Sequence, residues 1–476
     1  MNSAVKNTTP YNLSCTTLVL CCIMKCMQKD STITVLGAGY VGLTTAALLA
    51  HAGYTVYVVE PNPKRLDVIK QGRSFFFEEG LDPVIATAIK KGTLIPTNSY
   101  EESVPNSRVV FSCVGTPDNP DGSSNLAYVF SAAKEAAKYL SDGAIYIQKS
   151  TVPVGTGNRI EELFKDLGKK IDYASNPEFL REGTALFDTL CFDRVVVGGR
   201  HKAAVERTLH IYRQLETCKH EIAAIAKIDL KEVNGRYIAA NLNSAELIKV
   251  TSNAFLALKI SFANSIAKLA DQVDADVVEV MDAVGADARI GRAFLNAGRG
   301  YGGGCFPKDV SGLIMSGLEH GVDLEIMTAA QEVNSSMAGY IVEKLRDALD
   351  GDLADKKIAV LGLAFKAGTS DVRRSPGILI ANVLNKSGAI TTAYDPQAAG
   401  EASEELHGSV QLTDSIEQAL NGVEAVIVAT DWPELIGYDL ADYKKHMSGN
   451  LFVDAVNSFS IPHVTKAGLR YIGVGR

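Results

Sequence analysis

The 476-residue sequence predicts an α/β protein in which two doubly wound domains are joined by a long helical region. Three observations carry that expectation. A short apolar strand at residues 33–36 runs into the glycine turn Gly37-Ala38-Gly39-Tyr40-Val41-Gly42 and then an alanine- and leucine-rich helix. A second series of apolar strands separated by helical stretches begins near Lys356. Between the two, residues 233–283 show apolar positions at helical spacing with few glycines or prolines. The chain is too long for one core, and the expected division is a short extension (1–30), a nucleotide-binding domain (31–232), a central helical region (233–345) and a second domain (346–476).

The first glycine turn has the order that a dinucleotide fingerprint requires. Gly37 makes the tight turn, Gly39 leaves room for a pyrophosphate, and Gly42 allows close helix packing. The next strand, residues 55–59, ends in Glu60, placed to accept hydrogen bonds from ribose hydroxyls and to repel a 2′-phosphate. NAD is therefore expected over NADP, with Lys64 and Arg65 as nearby positive charge. Strands at 109–114 and 144–148 lead into Gly115-Thr116-Pro117 and Ser150-Thr151-Val152-Pro153, which puts hydroxyls where open α/β sheets bind ligands. Residues 176–183, NPEFLREG, read as an N-cap, a first-position proline, one or two helical turns and a glycine stop, so Glu178 and Glu182 should share a face.

In the central region Lys249 and Asn253 are four apart on one helical face, where both could donate to an oxygen acquiring negative charge. The helix has several apolar faces and needs more than one neighbour, which suggests a dimer interface. The stretch GRGYGGGCFPKD, residues 298–309, then brings five glycines and one thiol, Cys305, two residues before Pro307. Proline favours a first helical turn, so Cys305 should sit at a helix N-terminus, where the dipole lowers a thiol pKa. Lys308 and Asp309 lie close by. A glycine turn followed by a buried structural cysteine is the competing reading. The second domain has strands at 358–361, 391–394, 425–429 and 451–453 but no full GxGxxG, so it should hold something other than a second dinucleotide. Lys366, Arg373 and Arg374 are its candidate phosphate or carboxylate ligands.

Composition narrows the partners. A formal charge of −8 without long basic runs argues against nucleic acid or an anionic membrane. Four of the eight cysteines crowd into the first 26 residues and the others are scattered, which fits a reducing, cytoplasmic compartment better than a disulfide scaffold. No histidine falls at metal-ligand spacing, and no metal is expected. The apolar run NLSCTTLVLCCIM lacks a clear cleavage site and is too short to span a bilayer. It reads as a disordered extension or an over-long start, with Met27 as an alternative.

The motifs GAGYVG, CVGTP, STVPVGT, NPEFLREG, AELIKVTSNAFLALK, GYGGGCFPKD and GLAFKAGTSDVRRSP, in this order, resemble the UDP-glucose/GDP-mannose dehydrogenase family from Ile33 to the end. The resemblance implies oxidation of a primary alcohol to an acid with two NAD molecules, through a thiohemiacetal and a thioester on Cys305. It implies oxyanion stabilisation by Lys249 and Asn253, and water ordering or proton transfer by Asp309, Thr151 and Glu182. Val41, Glu60, Arg65, Thr116, Thr151, Glu182, Lys308 and Arg373 would contact NAD. Glu178, Phe179, Leu180, Arg181, Glu182, Lys249, Asn253, Phe294, Leu295, Asn296, Ala297, Gly298, Gly302 and Lys366 would contact the nucleotide sugar. Arg289 would reach the substrate of a neighbouring subunit, so at least a homodimer is implied. NPEFLREG leans away from the N-acetylated-sugar branches of the family, and the resemblance implies UDP-glucose, oxidised to UDP-glucuronate, as a precursor for polysaccharide. GDP-mannose or another nucleotide sugar, and a catalytically silent NAD-binding homologue, are the alternatives. Three positions depart from the family pattern: Glu60 replaces an aspartate, Glu79 a proline, and Val456 an arginine that helps hold the diphosphate.

Overall fold

The computed structural model describes residues 31–476, so the expectation for the first 30 residues lies outside it. Eight strands form the first sheet: β1 (Thr32–Leu36), β2 (Thr55–Val59), β3 (Leu94–Thr97), β4 (Val109–Ser112), β5 (Ile145–Gln148), β6 (Asp172–Ser175), β7 (Arg194–Gly199) and β8 (Arg236–Ala240), in the order β3-β2-β1-β4-β5-β6-β7-β8. All pairings are parallel except β6 with β7. The chain leaves β1 towards β2 on one side and β4 on the other, which creates the crevice at their carboxyl ends where α/β sheets bind ligands.

Strand β8 corrects the reading of residues 233–283 as wholly helical. It pairs with β7 along its length and carries the first sheet past residue 232. As an edge strand it buries little, so its sequence lacks the apolar alternation of a buried strand.

Asn241 then caps the 32-residue helix Leu242–Val273 by accepting from the Ser244 amide at 2.8 Å. At 1.5 Å per residue it runs about 48 Å. One side packs on the helices Phe306–Glu319 and Glu325–Ala348, and Ala254, Ala257, Ala263, Ala267 and Ala270 are the small buried residues that permit that approach.

Six parallel strands form the second sheet, β9 (Lys357–Leu361), β10 (Ile390–Tyr394), β11 (Gln411–Leu412), β12 (Ala425–Val428), β13 (Leu451–Asp454) and β14 (Arg470–Gly473), ordered β11-β10-β9-β12-β13-β14. Its switch point falls between β9 and β12. Among the described residues no helix is long and apolar enough to cross a membrane.

Candidate functional site

The first crevice has the shape of a dinucleotide cradle. Gly37 takes φ +88°, and a Cβ there would meet the Cys113 carbonyl oxygen at 2.8 Å. Gly42 packs against the Gly37 carbonyl so closely that a side chain has no room. Gly39 faces open space at the N-terminus of the helix Tyr40–His51, as a pyrophosphate needs. Glu60 ends β2 buried, with Oε1 accepting from the Asn62 amide at 2.9 Å. Val41 and Thr116 border this crevice half-buried, while Arg65 is exposed with its guanidinium 4.8 Å from the Phe75 ring centroid. These residues fit NAD.

A cleft of about 670 Å³ opens between the two lobes, within the range of small-molecule sites. Cys305, Lys249, Asn253, Glu178, Glu182 and Lys366 all line it, with Phe179, Leu180, Arg181, Phe294 and Gly302. Lys249 Nζ lies 3.2 Å from Glu178 Oε1, and both side chains are buried. Burial lowers the Lys249 pKa, but Glu178, Asp309 and Cys305 outweigh it and the pKa stands above its ordinary value, so the amine is charged. Phe179 is flanked by the cations of Arg194 and Lys249, 3.9 and 5.4 Å from its ring centroid. Asn253 Nδ2 donates to Asp309 Oδ2 at 2.6 Å, and Lys308 Nζ to Asp309 Oδ1 at 2.5 Å.

Cys305 is the N-cap of the helix Phe306–Glu319, with Pro307 in the first turn as expected. The expected lowering of its thiol pKa is corrected. Burial pushes the thiol up to about 12, Glu178 adds to the rise, and Lys249 offsets only part of it. The helix dipole is a local property, whereas the surrounding carboxylates and desolvation come from tertiary structure.

Residues 176–183 are also corrected: they form an irregular loop, and the helix starts only at Ala185–Leu190. The loop is held by distant groups. Buried Glu78 accepts from the amides of Gly183 and Leu186 at 3.0 and 3.1 Å, and Arg181 forks onto Asp188. Gly183 itself sits at φ +82°, against the Gly368 carbonyl. Both glutamates still reach the cleft. Glu182 Oε1 accepts from Arg373 Nη2 at 3.1 Å, and its carboxyl is buried beside that of Asp371, with which it shares a hydrogen bond. Burial and then the neighbouring Asp371 charge raise the Glu182 pKa to about 7.

The other expected contacts divide. Thr151 does not line the large cleft. It borders, with Asp309 and Gly312, a separate cavity of about 10 Å³, close to the size one water needs. Phe294 faces the cleft with φ +64°, a strained backbone for an aromatic residue. Leu295 and Ala297 bury their side chains in the core, so only their backbone is available to a ligand, and the Gly298 amide is spent on Asn264. Asn296 accepts from Arg292, and Arg289 is exposed, paired with Asp287 and absent from the cleft of its own chain. Arg373 pairs with Asp371 at 2.6 Å, and Arg374 with Asp118 of the first lobe.

In the second sheet the turn after β9 differs from its counterpart after β1. Asp395, at the end of β10, accepts from the Leu363 and Ala364 amides at 2.7 and 2.9 Å and from Trp432 Nε1 at 3.0 Å. That carboxylate occupies the donors a pyrophosphate would use, which agrees with the absent GxGxxG. Sequence reasoning missed Glu78, Asp371, Asp395, Lys149 and Arg299. Lys149 lines the cleft and donates to the Tyr212 hydroxyl at 2.8 Å.

Family models match three segments: the NAD binding domain of the UDP-glucose/GDP-mannose dehydrogenase family over residues 31–216, its central domain over 243–336, and its UDP binding domain over 359–461. The chain belongs to this family. It is thus an NAD-dependent dehydrogenase. It is 37% identical over 449 residues to a UDP-glucose 6-dehydrogenase of Bacillus subtilis, covering 93% of this chain and 97% of that protein. Among solved structures it resembles a UDP-glucose dehydrogenase from the archaeon Pyrobaculum islandicum, at 36% identity and TM-score 0.83, covering 94% and 98% of the two chains. A UDP-D-ManNAc dehydrogenase from Pyrococcus horikoshii is similar at 28% identity and TM-score 0.81, covering 94% and 99%.

Proposed function

We propose that this dehydrogenase oxidises UDP-glucose to UDP-glucuronate, using two NAD per turnover and Cys305 as a covalent anchor. The observation that carries the reading is the meeting of Cys305, a charged Lys249, Asn253 and Glu182, whose pKa burial and Asp371 raise, on one cleft between the two nucleotide-binding lobes. Relatives of about 37% identity named UDP-glucose 6-dehydrogenase favour that sugar over GDP-mannose.

NAD, when bound, accepts hydride from carbon C6. In the first oxidation the C6 hydroxyl proton passes to a base, and Glu182 suits this role because it lines the cleft, and burial together with the adjacent Asp371 carboxylate raises its pKa to about 7. The Cys305 sulfur then bonds to the aldehyde carbon as its proton goes to a neighbouring carboxylate. A thiol pushed up to about 12 should react this way rather than as a standing thiolate. Lys249 and Asn253 donate to the oxygen that takes up charge. A second hydride loss turns the thiohemiacetal into a thioester. Water attacks its carbonyl, the carbon–sulfur bond breaks, and the acid leaves with the thiol restored. The small cavity between Thr151 and Asp309 is suited to holding such a water.

Dimerisation belongs to the same reading. Phe255, Phe262, Leu269 and Val273 lie exposed along the long helix, the first three at seven-residue spacing, and Arg289 faces outward. A reducing, cytoplasmic setting fits the free thiols of Cys113, Cys191, Cys218 and Cys305. The test is to follow NADH with a panel of nucleotide sugars. Two NADH per acid with UDP-glucose supports the proposal. Activity confined to GDP-mannose, or silence throughout, overturns it.

A further inference from the structure

We propose that Arg299 is the cation that receives the substrate diphosphate at the switch point of the second sheet. This inference rests on the reading of the substrate as a uridine diphosphate sugar. The ligand crevice of this sheet lies at the carboxyl ends of β9, β12 and β13. In the first domain the glycine turn can hold a pyrophosphate with its own amides. In the second, the amides of Leu363 and Ala364 are already taken by Asp395. A diphosphate arriving there meets a carboxylate and needs positive charge from elsewhere.

Arg299 supplies that charge from the central region. Its backbone amide donates to the Ala455 carbonyl, just past β13, at 2.8 Å. Its side chain reaches to the turn after β9, where Nη2 donates to the Phe365 carbonyl at 2.8 Å and Nη1 approaches the Ala364 carbonyl at 3.5 Å. Thr430, just past β12, donates to that same Ala364 carbonyl. Arg299 therefore spans the ends of all three strands that border the crevice.

Arg299 is 8% exposed, and among the described residues it has no carboxylate at ion-pair distance. Asp395 and Asp431 influence it only from further away. Burial lowers its pKa to about 10, which leaves it charged at neutral pH. Two of its five N–H donors are used on carbonyls, and among the described residues the other three have no partner. A buried cation without a paired anion is costly, and a bound phosphate would neutralise it. Of the nearby arginines, Arg373 is committed to Asp371 and Glu182 and Arg374 to Asp118, while Lys366 faces the sugar cleft rather than the turn carbonyls that Arg299 binds. Arg299 also stands next to Val456, since a Cβ on Gly298 would meet the Ala455 oxygen at 2.6 Å and the Val456 Cα at 3.4 Å. The side chain at 456 carries no charge, and the one at 299 does.

The test is calorimetric binding of UDP and of uridine to the full-length protein and to R299M. Uridine lacks the diphosphate, so it reports on the shape of the crevice alone. R299M is expected to weaken UDP by about tenfold or more and uridine by less than about twofold. Adding V456R to R299M should restore part of the UDP affinity. Equal weakening of both ligands would mean that Arg299 only clamps the turn, and unchanged UDP affinity would likewise overturn the proposal. If R299M does not fold, R299K serves: it keeps the charge but loses the fork, and a reduced preference for UDP over uridine is expected, an unchanged one contradicting the idea. Failure of the unaltered protein to bind UDP sinks the uridine-nucleotide reading itself, and the assignment of Arg299 falls with it.

Discussion

Replacing Glu182 with glutamine should make the protein more stable in alkali and nearly inactive, two effects with one cause. The folded protein keeps the Glu182 proton up to about pH 7, whereas the unfolded chain releases it near 4.5. Between those values the folded state binds more protons than the unfolded one, so stability falls as pH rises. Above pH 7 the full penalty is present, on the order of 3 kcal/mol at most for a shift of this size. Glutamine cannot ionise, yet its carbonyl can still accept from Arg373, whose main partner is Asp371. E182Q should therefore melt a few degrees above the unaltered protein at pH 8 and close to it at pH 4. Loss of the base should lower kcat by roughly 100-fold to 10,000-fold. The unaltered enzyme should gain kcat/KM as pH rises through about 7. Thermal melts and steady-state rates across that range check all three. Equal destabilisation of E182Q at both pH values, or normal turnover, would refute the assignment of a strained, functional carboxyl.

Lys249→Ala should leave Glu178 buried without its counter-ion, at a cost of about 3–5 kcal/mol, read as a lower denaturation midpoint alongside lost activity. Gly303→Ala should disrupt the cleft, because Gly303 sits at φ +82° and a Cβ would meet the Phe365 ring at 2.8 Å; a raised KM for the nucleotide sugar with little change for NAD is the expected kinetic signature. Phe262→Glu tests the proposed dimer: a sedimentation coefficient that falls to that of a monomer, together with lowered activity, is the expected outcome, and an unchanged coefficient contradicts the proposed interface.

What could be read from the sequence were features fixed by local chemistry. The turn at Gly37–Gly42 and the helix start at Cys305–Pro307 are dictated by backbone geometry, so their residue types announce them. Lys249 and Asn253 share a face because helical period alone decides it. The misread parts depend on distant partners. The proline and asparagine of 176–183 look like a helix start, but Glu78, about 105 residues away, pins the segment as a loop. Strand β8 exists because β7 offers it an edge. The thiol of Cys305 follows its burial and the Glu178 charge brought in by the 176–183 loop more than the dipole of its own helix. Arg299 is one arginine among many in sequence, and only the fold sets it across β9, β12 and β13.

The covalent role of Cys305 is tested most directly by quantifying NADH and uronic acid together for Cys305→Ala supplied with UDP-glucose. No acid and at most one NADH per sugar, with NAD affinity retained, is the expected result. Two NADH and a full equivalent of acid at the normal rate would contradict the mechanism.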